Sequence, residues 1–483
     1  MNLCLINHSF RYEIEKLIRL FLPFEKLEYF EEAVFEDNTI ITEIKGNLAT
    51  AKVVISGDEA IFSEIITNPD DFDEQELRLA SALFSCLTQI TEYKPEWGML
   101  TGVRPAKLYS RLIEEMGKEK AEEYLKNTLK VADNKMSLCK ATNISEKKII
   151  DLSDDNSFSL YVSIPFCPSR CSYCSFVSHS VEAAKKLIPD YLEKLCEEIK
   201  VTAKIAKSLN LNLKTIYIGG GTPTTLTAEQ LKMLLTVIKE NFDFSNLLEY
   251  TVEAGRPDTI TVDKLSVIKE LGATRISINP QTMNDDVLKT ISRRHTADDT
   301  VKAFEMARKC GHTNINMDLI AGLPTDTLES FKDTISKILA LSPESVKVHS
   351  LSMKRSSTLN VKARFPELEM GSIATEMVNF ARYELAKSDI LPYYMYRQSK
   401  TVGNLENVGY AKAGYESFYN VYIMDETHTI LGCGASAVTK LKQPSGPQIS
   451  RIFNYKYPYE YINDFDVILQ RKSGIKEFYK NYI

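Results

Sequence analysis

The chain has 483 residues, 44% of them hydrophobic and 26% charged, and a net charge of −6. That length allows two or three domains, and the composition excludes a disordered or fibrous protein. The negative balance argues against general binding to nucleic acid or a membrane surface, and no apolar run approaches the roughly 18–20 residues that span a bilayer.

Residues 1–153 are expected to form an α+β N-terminal extension. Its opening, MNLCLINHSFRYEIEK, meets charge too soon for a secretory signal, so the expected location is cytoplasmic. TIITEIKGNLATAKVVIS alternates apolar and polar residues around Gly46-Asn47, the pattern of a β-hairpin. DEQELRLASALFSCLTQIT has helical periodicity. WGMLTGVRPAKL reads as a loop entering a helix, and SEKKIIDLSDDNS as the linker out of the region. No catalytic motif stands in this part.

Residues 154–352 alternate short β-rich runs with longer amphipathic helices. The strand runs are SLYVSIPF, TIYIGGG, EYTVEAG, TRISINP, INMDLIAG and SVKVHSL. Such βα steps imply a parallel sheet with right-handed crossovers. Six strands are too few for a closed eight-stranded barrel, so the expected fold is α/β, a partial (β/α)6 barrel; a doubly wound open sheet is the alternative. Residues 353–483 are richer in Tyr and Phe. They are expected to form a C-terminal α+β domain, a helix followed by loops and antiparallel strands, that covers the substrate.

Three of the nine cysteines, Cys167, Cys171 and Cys174, stand in one short segment, IPFCPSRCSYC. The other six are scattered in apolar surroundings and read as small core residues. CxxxCxxC supplies three thiolates from one loop. A cubane cluster has four irons, so three thiolates leave one iron open to chelate a small molecule. Zinc with His179 as a fourth ligand is the alternative.

The remaining polar candidates fall at the C-terminal ends of the strands: Gly219 to Pro223 follow the second, Glu253 ends the third, Asn279 and Gln281 end the fourth, Asp318 and Gly322 the fifth, and His349 the sixth. In barrels of parallel strands that face carries ligands and catalysis. The glycines of GGGTP let backbone groups approach a ligand closely. No Gly-Lys-Ser/Thr follows, so this is not a phosphate loop. Glu253 is a candidate acceptor for an amine or ribose hydroxyl. Arg293, before Arg294 and His295, is a candidate partner for a bound carboxylate.

YVSIPFCPSRCSYC, TIYIGGGTPT, TVEAGRPD, RISINPQTMND and NMDLIAGLP resemble the oxygen-independent coproporphyrinogen III oxidase family of radical S-adenosylmethionine (SAM) proteins. PYYMYRQ and the N-terminal extension resemble its HemZ-like branch, the coproporphyrinogen dehydrogenases. The resemblance implies that Cys167, Cys171 and Cys174 hold a [4Fe–4S] cluster and that SAM takes the open iron. It further implies SAM contacts from Tyr161, Tyr173, Gly220, Gly221, Thr222, Glu253, Gln281, Arg293 and Asp318. The implied reaction is oxidative decarboxylation of coproporphyrinogen III to protoporphyrinogen IX in anaerobic haem biosynthesis, with a reductant such as flavodoxin or ferredoxin. Lys354, Arg355 and Arg397 are candidates to meet the substrate carboxylates. One departure stands out: the best-known decarboxylating branch has a fourth cysteine two residues after the third, where this chain has Phe176. Two other readings of a tetrapyrrole partner therefore stand beside the enzyme: a haem-binding chaperone and an anaerobic haem-degrading radical SAM methyltransferase.

Overall fold

The computed structural model describes residues 1–34, 36–174, 179–352, 366–398 and 400–482. Phe176, Lys354 and Arg355 lie outside them. The chain forms two compact units, the first from residues 1–140, 350–376 and 397–406, the second from 141–349, 377–396 and 407–483. The three consecutive segments expected from the sequence are thus distributed differently: most of the C-terminal residues belong to the same unit as the βα repeats.

The first unit is built on a five-stranded sheet of β1 (Asn2–Ile6), β2 (Glu28–Phe30), β3 (Thr39–Lys45), β4 (Leu48–Ile55) and β5 (Asp58–Ile65), ordered β2-β1-β3-β4-β5. The expected hairpin is β3–β4, with Gly46 at φ 62° in its turn. Alternation puts Ala49, Ala51, Val53 and Ile55 of β4 inward. They share a core with Leu79, Leu83 and Leu87 of the helix Phe72–Thr91. Asp71 caps that helix by accepting the backbone N–H groups of Asp73 and Glu74.

The second unit carries an eleven-stranded sheet. Its strands are β6 (Ser157–Ile164), β9 (Asn212–Gly220), β10 (Glu249–Glu253), β11 (Arg275–Ser277), β12 (Ile315–Ala321), β13 (Ser345–Ser350), β14 (Leu391–Arg397), β15 (Glu406–Ala411), β16 (Thr429–Cys433), β17 (Val438–Lys442) and β18 (Ile449–Phe453). A separate two-residue ladder pairs β7 (Phe166–Cys167) with β8 (His179–Ser180). The sheet order is β14-β15-β13-β12-β11-β10-β9-β6-β16-β17-β18. At its centre the six expected strands lie side by side in chain order, as a singly wound partial barrel requires and a doubly wound sheet does not. The helices Ala228–Asn241, Val262–Glu270, Ala297–Lys309 and Leu328–Leu341 between them each start behind a capping Thr: Thr227, Thr261, Thr296 and Thr327.

The C-terminal strands extend this sheet at both edges. β16 joins β6 in parallel, and β15 joins β13 antiparallel. The expected linker SEKKIIDLSDDNS is helical as far as Ile150, in the helix Asp133–Ile150. The reason is burial: Ile149 packs with Tyr393, Tyr394, Val421 and Tyr422, and only the residues after it form the link. Of the scattered cysteines, Cys4, Cys86, Cys139, Cys196 and Cys433 are buried. Among the described residues no helix is long and apolar enough to cross a membrane.

Candidate cofactor site

The cysteine loop leaves β6 at Ile164, a strand end fixed by pairing with Gly220 of β9. Cys171 is buried, while Cys167 and Cys174 are partly exposed. The Cys174 N–H donates to the Cys171 carbonyl at 3.1 Å, and the Ser172 N–H to Ile291 at 3.3 Å. Thr222 Oγ1 donates to Cys167 Sγ at 3.6 Å and Arg256 Nη1 to Cys171 Sγ at 3.7 Å. Among the described residues no three His, Cys, Asp or Glu groups are arranged around one metal ion. A tetrahedral zinc needs a fourth ligand, usually from a matching second pair; a cubane can take three thiolates from one loop and keep one iron open. His179, the candidate fourth zinc ligand, instead sets its ring edge-on to Tyr457 with centroids 6.1 Å apart. The donor set fits a cluster better than zinc.

The glycine run ties this loop to the rest of the site. Gly220 has φ 106°, a conformation that favours glycine. The Gly221 N–H donates to Ile164 and the Thr222 N–H to Phe166, both at 2.8 Å. A Cβ on Gly221 would stand 2.5 Å from the Phe166 oxygen and 3.0 Å from Cys167 Sγ. A Cβ on Gly219 would meet the Tyr217 ring at 2.8 Å and the Glu253 carboxyl at 3.1 Å. Backbone of glycine size is therefore needed on both sides of the run.

Two carboxyl groups in the site are driven apart in acidity. Burial raises Glu253 to about 7, although a hydrogen bond from Tyr217 and the charge of Lys347 oppose this. Tyr217 donates that bond to Glu253 Oε1. Asp318 is partly buried, which acts upward, but Lys347 and His349 hold its carboxyl well below the usual carboxylate range. His349 Nε2 lies 3.7 Å from Asp318 Oδ2, and Asn316 Nδ2 donates to Asp318 Oδ1 at 2.6 Å. Asp318 is thus an ionised acceptor, and Glu253 can hold or release a proton near neutrality. Tyr161 stacks near this pair with Tyr217 and Tyr419, at ring separations of 6.3 and 6.2 Å.

On the other side of the loop, Arg293 Nη2 donates to the Tyr173 hydroxyl at 2.8 Å and Nη1 to the Asn279 carbonyl at 3.4 Å. Its Nε is buried without a hydrogen-bond partner. β11 stops at Ser277, so Asn279 and Gln281 follow the strand, not end it. Gln281 has φ 72°, yet its backbone bonds to Asp318 and Ile320 at 2.9 and 3.0 Å. A non-glycine residue held in that region stores about 1–3 kcal/mol, a feature that clusters at ligand sites.

The structure thus brings Cys167, Gly221 and Thr222 into one contact group, Tyr161, Tyr217 and Glu253 into a second, with the charge of Asp318 acting on it, and Tyr173 and Arg293 into a third. Four residues were missed in the sequence: Tyr217, Arg256, Lys347 and Tyr419. Arg256 is inside the quoted TVEAGRPD, but its importance comes from a sulfur 85 positions earlier. Arg397 is not available to a substrate carboxylate. It is buried, and its guanidinium donates to the carbonyls of Leu100, Gly102 and Asn404.

Residues 161–338 match the model of the radical SAM superfamily. The oxygen-independent coproporphyrinogen-III oxidase-like protein HemZ of Bacillus subtilis is 36% identical over 84% of this chain and 82% of its own length. The chain belongs to the oxygen-independent coproporphyrinogen-III oxidase-like family of radical SAM proteins. The haem chaperone HemW of Bacillus subtilis is a further relative, 35% identical over 57% of this chain and 70% of its own. The structure of coproporphyrinogen III oxidase (HemN) from Escherichia coli shares the fold, with a TM-score of 0.52 and 22% identity over 67% of this chain and 72% of that one. As a radical SAM protein the chain takes a [4Fe–4S] cluster and SAM as cofactors. The three thiols of one loop, with hydrogen bonds to the Cys167 and Cys171 sulfurs, and the Arg293 Nε without a partner in the chain fit that pair of groups.

Proposed function

We propose that the chain decarboxylates coproporphyrinogen III oxidatively to protoporphyrinogen IX, as a cytoplasmic enzyme of anaerobic haem biosynthesis. The observation that carries this reading is the 36% identity to HemZ across 82% of that protein. In each of two propionate groups the chain –CH2–CH2–COO⁻ becomes –CH=CH2 by loss of carbon dioxide, one hydrogen atom and one electron. A final acceptor takes that electron, and a reductant such as flavodoxin or ferredoxin supplies the cluster. Bound cluster and SAM supply the radical that takes the hydrogen atom.

This chain's residues bind and orient. Cys167, Cys171 and Cys174 hold the cluster. Tyr161, Tyr173, Gly220, Gly221, Thr222, Glu253, Gln281, Arg293 and Asp318 hold SAM. Arg293 offers its unpartnered Nε to the methionine carboxylate. Asp318, held ionised beside Lys347 and His349, accepts from an amine or hydroxyl. Glu253 does the same once ionised, its carboxyl oriented by Tyr217.

A second reading, haem delivery without porphyrinogen chemistry, is favoured by the identity to HemW over 70% of that chaperone. Anaerobic incubation with reductant, SAM and coproporphyrinogen III separates the two. The enzyme releases carbon dioxide and forms the divinyl product. Substrate returned intact by a protein that binds haem stoichiometrically would reject the decarboxylase; a methylated, ring-opened tetrapyrrole would point to haem degradation instead. SAM cleavage alone supports none of these readings.

A further inference from the structure

Arg256 lies three residues past the end of β10, outside the residues assigned above to either cofactor. It is 3% exposed. Its Nε and Nη2 donate to the two carboxylate oxygens of Asp258, each at 2.9 Å. That fork fixes the plane of the guanidinium. The remaining nitrogen, Nη1, is then turned to the cysteine loop, 3.3 Å from Ser169 Oγ and 3.7 Å from Cys171 Sγ. A buried guanidinium needs a paired charge and acceptors for its N–H groups. Asp258 meets the first need, and the loop meets the second.

We propose that Arg256 is a positioning residue for the cluster: its N–H donates to the Cys171 sulfur and makes the cluster easier to reduce. The inference rests on Cys171 being a cluster ligand. Reduction adds one negative charge, spread over iron and sulfur. A donor aimed at a ligand sulfur stabilises the reduced form more than the oxidised one, and burial keeps water from screening it. Asp258 offsets most of the guanidinium's net charge. What faces the sulfur is the positive end of an oriented ion pair, so the effect depends on the fork geometry as well as on the charge. Thr222 Oγ1 donates likewise to Cys167 Sγ at 3.6 Å, but as a neutral donor.

The test is a reductive titration of the full chain, reconstituted anaerobically and without SAM, followed by its visible absorbance and its electron paramagnetic resonance signal. Arg256→Gln should retain iron and shift the reduction equilibrium about tenfold against the reduced form, about 59 mV more negative for one electron. Arg256→Lys keeps the charge, but an ammonium cannot hold both Asp258 oxygens and reach the sulfur. Its potential should lie between those of the wild type and the Gln variant. If the Gln variant does not fold, the Lys variant decides. A wild-type potential in either variant that carries its cluster would overturn the proposal while leaving the cluster assignment intact. The cluster assignment itself would fail separately, if iron loading survived removal of the three cysteines.

Discussion

The second unit holds two groups of buried charge, and they differ in how fully they are paired. In one, Glu198 Oε2 accepts the Gly434 N–H at 2.7 Å and the Tyr461 hydroxyl at 2.6 Å. Its Oε1 accepts from Asn454 at 2.8 Å and from Lys472 Nζ at 2.9 Å. Lys472 also donates to the Gly432 carbonyl. Glu198 and Lys472 are both 0% exposed. In the other group, Arg293 keeps a buried Nε without a partner, and the buried His295 beside it makes no hydrogen bond of normal geometry. Burial, with Arg293 and Arg256 nearby, lowers His295 to about 4, so it is neutral. The saturated group fastens the C-terminal helix Phe465–Lys480 to β16. In the unsaturated one, Arg293 Nε and both His295 ring nitrogens have no partner within the chain.

Three substitutions sharpen that contrast. The largest effect is expected from Gly221→Val. The side chain would drive into the Phe166 carbonyl and Cys167 sulfur, so the variant should lose iron as well as SAM cleavage. Normal iron content would mean that the glycine serves SAM alone. Next is Lys472→Met, which leaves the Glu198 carboxylate buried without its cation. Breaking such a pair costs about 3–5 kcal/mol. The melting temperature should fall clearly, and an unchanged value would show that the remaining donors suffice. The smallest is Glu253→Gln, read as the pH dependence of stability without cofactors. Glu253 is raised to about 7 in the folded chain, so between its unfolded value near 4.3 and about 7 the native state binds more protons. Stability from this group is full below that window and lost as pH rises through it. The Gln variant should lack that loss; equal slopes for the two proteins would place Glu253 in an ordinary aqueous environment.

The central strands were legible because each is a short apolar run between turn signals, and buried strands need no alternation. The cysteine loop stands out because its three cysteines lie within eight positions. What stayed hidden depends on distant partners. Lys472 reads as a surface charge on a C-terminal helix until Glu198 is placed beside it. Arg256 reads as turn chemistry before Pro257. Tyr217 reads as strand filling, although its hydroxyl meets Glu253. SEKKII reads as linker because its polar residues outnumber Ile149, the residue that packs. The C-terminal segment reads as a separate domain because edge pairing, such as β16 on β6, leaves no trace in local pattern.

The most direct test of the account is iron loading of the chain with Cys167, Cys171 and Cys174 all replaced by Ala. Reconstituted wild type should hold about four irons and lose visible absorbance on reduction, as a thiolate-bound cubane does. The triple variant should fold, keep the Glu198–Lys472 pairing and hold no iron. Iron content equal to wild type in that variant would contradict the account.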